Sequence, residues 1–234
     1  MTGHPPRTTR VAVPDGEFDL KVWDPGELAP AVLVLQEIFG VNEYIEAVCA
    51  RLAEAGYVAA APDLYWRSTP GFAAAHDEAG MQSAFAEVGK LDVPTAIADA
   101  VAALGALNDL PEVAGRPGVI GFCLGGTLSW GVAAAGDPSC AVSYYGSGVP
   151  SMLDLAAQVH CPVLFHFGNN DPYIPNEGVE ALNEVIGTHR NLTLNVEHAG
   201  HAFDNNFAAQ FHDEAAARAA WSKTLAFLEA KLPR

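Results

Sequence analysis

Positive charge is scarce in this chain of 234 residues: 12 Lys and Arg stand against 28 Asp and Glu, a formal net charge of −16. That balance excludes a basic nucleic-acid binder, whose affinity rests on clustered Lys and Arg facing phosphates. Long apolar runs are also missing. The richest helical stretch, Leu91 to Leu110, carries Asp92, Asp99 and Asp109, so nothing offers the roughly 18 unbroken apolar residues of a membrane span, and a soluble protein without a membrane partner is expected. Cysteine is sparse, and Cys49, Cys123, Cys140 and Cys161 form no C-x-x-C pair, which argues against a zinc cluster or a disulfide framework. The opening MTGHPPRTTR lacks the apolar core of a secretory leader; a cytoplasmic setting is expected, where the Asn191-Leu192-Thr193 sequon carries no meaning. Internal repeats, low-complexity tracts and Ser/Gly linkers are absent too, so a single domain over 1–234 is expected.

What is abundant is core material: half the residues are hydrophobic and only 17% are charged, which excludes a disordered chain. Short apolar runs alternate with longer Ala-rich amphipathic stretches, as βα units around a mainly parallel sheet require. Strands are expected at Ala31 to Leu35, Tyr57 to Ala61, Gly118 to Phe122, Ala141 to Tyr145, Val163 to Phe167 and Leu192 to Val196. Helices are expected near Tyr44 to Ala55, Phe72 to Val88, Val93 to Asn108, Gly125 to Ala135, Asn176 to Ile186 and Ala209 to Lys231. The fold class is therefore α/β, a mostly parallel central sheet with helices on both faces.

One junction carries chemistry. In Gly121-Phe122-Cys123-Leu124-Gly125-Gly126 a strand runs straight into a helix with Cys123 at the corner and glycine two residues to either side. This is the nucleophile-elbow pattern with sulfur in place of the serine oxygen, and small neighbours let a strained turn present the nucleophile at the carboxyl edge of the sheet. A thiol there sits at a helix N-terminus, where the dipole favours the thiolate, and the N–H of Leu124 points toward the reacting centre. Such a thiol needs a base, and the base an orienting carboxylate, in chain order nucleophile, acid, histidine. Asp171 follows the strand ending at Phe167, and His201 follows the strand ending at Val196. Of the other histidines, His166 lies inside a core strand and reads as structural, and His198 lies closer to the strand end than His201. His4, His76, His160, His189 and His212 fall at termini, on helices or beside turns and read as solvated. Together, His198, His201 and His212 lack a ligand set for a metal.

With these residues in place, the chain resembles the dienelactone hydrolases (carboxymethylenebutenolidases), a branch of the α/β-hydrolase superfamily. The resemblance spans most of the length and includes Gln36-Glu37-Ile38-Phe39-Gly40-Val41-Asn42, Ala61-Pro62-Asp63-Leu64-Tyr65, the Cys123 elbow, Tyr144-Tyr145-Gly146, Asp171 with Pro175, and Gly200-His201-Ala202-Phe203. It implies an α/β-hydrolase fold, a Cys123, His201, Asp171 triad, and the backbone N–H groups of Ile38 and Leu124 as an oxyanion hole. It also implies that Glu37 takes part in activating the thiol when substrate binds. Phe39 is expected near the substrate, and Tyr144 and Tyr145, which follow a strand, are candidates to line the pocket, although alternation sends only one of them to each face and leaves core packing for the other. No cofactor and no metal are implied.

The chain also departs from the family. Its enzymes are expected to hold a substrate carboxylate with two arginines, one in the helix that here contains Met81 to Phe85 and one just after the histidine loop; here the chain reads Ala79-Gly80-Met81-Gln82-Ser83-Ala84-Phe85 and Ala202-Phe203-Asp204-Asn205-Asn206. Neither set can replace a bidentate guanidinium clamp. Arg67 is the nearest cation in a family-like segment and reads as part of a structural loop. The expected activity is hydrolysis of a lactone or small ester through an acyl-enzyme on Cys123, by a monomer. Two alternatives remain on these residues: a cysteine esterase or thioesterase for a neutral substrate, and a non-hydrolytic protein that binds a small molecule or senses redox state through Cys123.

Overall fold

The computed structural model describes residues 5–233. Eight strands form one sheet: β1 (Arg7–Val13), β2 (Gly16–Trp23), β3 (Ala31–Leu35), β4 (Val58–Pro62), β5 (Gly118–Phe122), β6 (Ala141–Tyr144), β7 (Val163–Gly168) and β8 (Leu192–Glu197). Their spatial order is β1-β2-β4-β3-β5-β6-β7-β8. From β4 through β8 every pairing is parallel, while β1 and β2 form an antiparallel hairpin whose second strand joins β4. Every residue of β3, β4, β5, β6 and β7 is buried, as expected of parallel strands covered on both faces.

The helices are α1 (Glu43–Glu54), α2 (Glu78–Val88), α3 (Val93–Asn108), α4 (Leu124–Ala135), α5 (Asn176–Ile186) and α6 (Glu214–Lys231). Four begin on side-chain caps: Asn42, Asp77, Asp92 and Asp213 each accept from backbone N–H groups of the first turn, which stabilises such a start by about 1 kcal/mol. Close contact between α3 and α4 requires Gly131, where a Cβ would lie 2.3 Å from Ile97 Cδ1. On the other side Arg51 of α1 lies 3.8 Å from the ring centre of Trp221 on α6. Among the described residues no single helix is long and apolar enough to cross a membrane.

The six expected strands and six expected helices are all present. The hairpin β1–β2 is an addition: its strands alternate between buried and exposed positions, with Phe18, Leu20 and Val22 inward, and a search for continuous apolar runs passes over them. Val13 pairs with Gly16, leaving Pro14 and Asp15 as a two-residue turn. The helix expected from Ala209 begins only at Glu214, where Asp213 caps it, and the helix expected from Phe72 begins only at Glu78. The preceding segment is instead tied to the loop after β3, through a Gly40–Ala73 bridge and a bond from Ala74 N to Phe39 O of 2.9 Å. Asp77 then caps the helix through Gly80 N at 2.7 Å.

Candidate active site

The carboxyl ends of the parallel strands carry the site, as in open α/β sheets generally. Cys123 stands between β5 and α4 with φ 54° and ψ −112°, a left-handed conformation that L residues rarely adopt. Its neighbours make the corner sterically possible. A Cβ on Gly121 would sit 1.8 Å from Gly125 O, and one on Gly125 would sit 2.2 Å from Leu35 O. Cys123 N bonds Tyr144 O at 3.0 Å and Gly125 N bonds Gln36 O at 2.9 Å, so the elbow is tied to the strands on either side. The non-glycine residues with positive φ among those described are Cys123, Tyr145 and Ala202. These follow β5, follow β6 and follow His201, so backbone strain is concentrated at one place.

Asp171 and His201 are both buried, and His201 Nδ1 lies 2.7 Å from Asp171 Oδ2. The other carboxylate oxygen accepts from Tyr173 N at 2.8 Å, which fixes the aspartate. The imidazole is packed between Tyr145 and Tyr173, with ring centres 5.1 and 4.9 Å away. Burial works against a charged ring here, but the hydrogen bonds and charges of Asp171 and Cys123 outweigh it, and the His201 pKa is pushed up to about 10. The carboxylate and the imidazole thus form a buried pair that shares its cavity with the Cys123 thiol. Burial raises the Cys49 thiol well above its ordinary range and takes Cys140 to about 12 and Cys161 to about 11.

Cys123 and His201 open onto a cavity of about 150 Å³. Its wall is largely apolar, with Ile38 and Phe39 after β3, Met81 and Phe85 on α2, and Phe211 before α6. Phe85 and Tyr173, 55% and 53% exposed, stand in the wall and reach solvent. Among the described residues no Lys or Arg lines the cavity. Met81 and Phe85 occupy the helix where the resemblance places one arginine. On the histidine loop Ala202 and Asn205 face the cavity, while Asp204 turns away to accept from Tyr44 OH at 2.9 Å and Arg51 Nη1 at 3.4 Å. Burial, opposed by Arg51 and Tyr44, pushes the Asp204 carboxyl up to about 6. Arg67 is a structural cation, held by both oxygens of Asp15 and by Asp99 and stacked on Trp66.

Two sequence-based expectations need correction. Tyr144 and Tyr145 do not line the cavity; both rings are fully buried. Tyr144 OH is 2.7 Å from Thr224 Oγ1 and Tyr145 OH is 3.2 Å from Tyr44 OH. The strained φ of 38° at Tyr145 breaks the strand alternation that would have sent one of the pair outward. Tyr145 instead supports the His201 ring from behind. The second correction is His76. It is no solvated helix residue: its side chain is 6% exposed and lies in the cavity wall, against Phe39 with ring centres 4.3 Å apart. His76 Nε2 lies 3.1 Å from Glu37 Oε2, and Asn205 Nδ2 donates to the same oxygen at 2.8 Å. Neither His76 nor Asn205 was singled out by sequence, although Asp77 three residues before Gly80 is a helix-start signal that would have released His76 from the helix.

His166 is a buried core histidine, as expected, 3.0 Å from both Thr224 Oγ1 and Asn195 Nδ2. His160 is exposed, whereas His189 and His212, expected to be solvated, are half-buried, and His4 lies outside the described residues. His198 is exposed and bonds Asn169, while His212 bonds Phe203 O. The described His, Cys, Asp and Glu residues form no group of three or more placed to hold a metal ion.

The profile of the dienelactone hydrolase family matches residues 19–232. Carboxymethylenebutenolidase 1 of Cupriavidus pinatubonensis is 34% identical over 201 residues, covering 86% of each chain. The carboxymethylenebutenolidase of Pseudomonas sp. strain P51 is 36% identical over 205 residues, 87% of this chain and 86% of its own. Among solved structures, a candidate dienelactone hydrolase from Klebsiella pneumoniae superposes with a TM-score of 0.80 at 27% identity, over 95% of this chain and 97% of that one.

Proposed function

Because this chain belongs to the dienelactone hydrolase family and is accordingly a lactone or ester hydrolase, we propose that it works through a Cys123–His201–Asp171 triad and a covalent acyl-enzyme. The observation that carries this reading is the buried Asp171–His201 pair opening onto the same cavity as the strained Cys123. In it, the Cys123 sulfur attacks the carbonyl carbon of the ester, and the thiol proton resides on His201. The resulting oxyanion is received by the N–H groups of Ile38 and Leu124. Leu124 opens α4, so its N–H has no partner within the helix. Collapse breaks the carbon–oxygen bond, and His201 returns its proton to the leaving oxygen, which in a lactone stays tethered to the acyl group. His201 then accepts a proton from water as that water attacks the thioester, releasing the carboxylate product and the thiolate. Asp171 holds the imidazole in the required tautomer throughout.

The apolar wall favours a neutral substrate over one bearing a carboxylate. Met81 and Phe85 cannot pair with an anion, and Glu37 on the same wall repels one. Phe39 contributes apolar surface to the same wall. The test is kcat/KM on a panel of lactones and small esters, each as free acid and as masked methyl ester, with wild type and Cys123→Ala side by side. The expected outcome is turnover of neutral substrates that falls by about 10⁴-fold or more in Cys123→Ala, the scale seen when a catalytic nucleophile is removed. Undiminished turnover in the variant overturns the assignment.

A further inference from the structure

Glu37 is a buried carboxylate in the wall of the same cavity as Cys123, yet its hydrogen bonds run the other way. One oxygen, Oε2, receives both Asn205 Nδ2 at 2.8 Å and His76 Nε2 at 3.1 Å. Those two nitrogens are themselves 2.9 Å apart. The triangle has a chemical consequence. Nε2 of a histidine either carries a proton and donates, or lacks it and accepts. Facing a carboxylate, the protonated form donates to Glu37; without that proton it accepts from Asn205 instead, and Glu37 keeps one partner. Cys123, meanwhile, shares its cavity with His201, whose proton affinity it helps to raise.

Resting on the hydrolase reading above, we propose that His76 is a positioning residue for the reaction: together with Asn205 it holds the Glu37 carboxylate to its own side of the cavity, leaving the Cys123 thiol to His201. His76 is suited to this because its backbone is fixed. Its segment is tied to the loop carrying Glu37 through Ala74 N and Phe39 O, and its ring is packed on Phe39. A Glu37 released from His76 loses one of two hydrogen bonds in a largely apolar enclosure and turns to the next donor within the cavity. In the resting enzyme, before any substrate-linked part that Glu37 plays in activating the thiol, the consequence is competition with His201 for the thiol proton and repulsion of the thiolate once formed.

The test reads the thiol directly. Alkylation of Cys123 by iodoacetamide, a neutral reagent, is timed by mass spectrometry of the Cys123 peptide; Cys49 and Cys140 are buried, and the Cys161 thiol is pushed up to about 11. Wild type, His76→Phe, Glu37→Gln and the double variant form a cycle. His76→Phe is expected to slow alkylation about tenfold, within the coupling range of residues in contact, and to cost less than about twofold more in the Glu37→Gln background. His76→Gln, which keeps an N–H within reach of Glu37, is expected to restore most of the rate. An equal loss from His76→Phe in both backgrounds, or no loss in the wild-type background, overturns the proposal. Should His76→Phe fail to fold by circular dichroism, His76→Ala enters the same two backgrounds under the same criteria. The cycle needs no substrate, so its failure is separate from that of the hydrolase reading, which falls with undiminished turnover in Cys123→Ala.

Discussion

Two histidine–carboxylate pairs face one cavity, and they are built for opposite ends. His201 presents Nδ1 to Asp171, whose second oxygen is fixed by Tyr173 N, so the far side of the ring is left for sulfur. His76 presents Nε2 to Glu37, and Asn205 closes the group on itself. The first leaves one side of its ring open to the cavity that holds Cys123; the second is a closed triangle. On the roles proposed above, the same two residue types make a base in one place and a restraint in another, and what decides is the third partner.

That contrast can be broken by experiment. Asp171→Asn should lower kcat on the order of 10³- to 10⁴-fold, as when the orienting acid of a triad is lost. A loss no larger than that of the His76 variants would erase the distinction between the pairs. His166 supplies a reference histidine with no carboxylate partner. Burial, with a smaller push from Lys223, lowers its pKa to about 3 from the ordinary 6.5, so the folded state keeps it neutral. The unfolded chain takes up its proton below pH 6.5 and the folded chain does not. Stability contributed by neutral His166 is thus present above pH 6.5 and is lost as pH falls toward 3, on the order of a few kcal/mol. Urea unfolding at pH 7 and pH 4 should show that loss, and His166→Gln should flatten it.

Met81→Arg sharpens the comparison from the substrate side. It restores a cation to the α2 wall, and the ratio of kcat/KM for a lactone acid over its methyl ester should rise about tenfold, ~1.4 kcal/mol. An unchanged ratio would mean that this wall does not meet the substrate. The smallest effect is expected for Ala202→Gly. Relief of the positive φ of 54° at this residue should raise the melting temperature by the equivalent of about 1 kcal/mol, while loosening the loop that carries His201 lowers turnover.

Much of this was legible in the amino-acid order. Continuous apolar runs mark buried parallel strands, and a cysteine between spaced glycines marks a strand-to-helix corner that few other structures require. The hairpin Arg7–Trp23 was not found because one of its faces is wet, which halves the apolar signal, although Pro14-Asp15-Gly16 between two alternating segments is a turn signal. His76 escaped for a different reason. The Ala-rich stretch around it reads as helix, and only pairing with the loop at Phe39 and Gly40, a contact between distant parts of the chain, keeps it out of the helix. Tyr145 was misplaced because strand alternation ends at a left-handed residue.

The glycines of the elbow have a further meaning for how such a molecule can diversify. Positions 121 and 125 cannot accept any side chain without meeting backbone at 1.8 and 2.2 Å, so the reacting corner tolerates almost no variation. Met81, Phe85, Tyr173 and Phe211 come from helix faces and loops whose backbone does not depend on those particular side chains. Heritable change can therefore redraw what enters the cavity while the bond-breaking apparatus stays untouched, and a lineage can exchange one ester for another by single steps that never pass through an inactive enzyme.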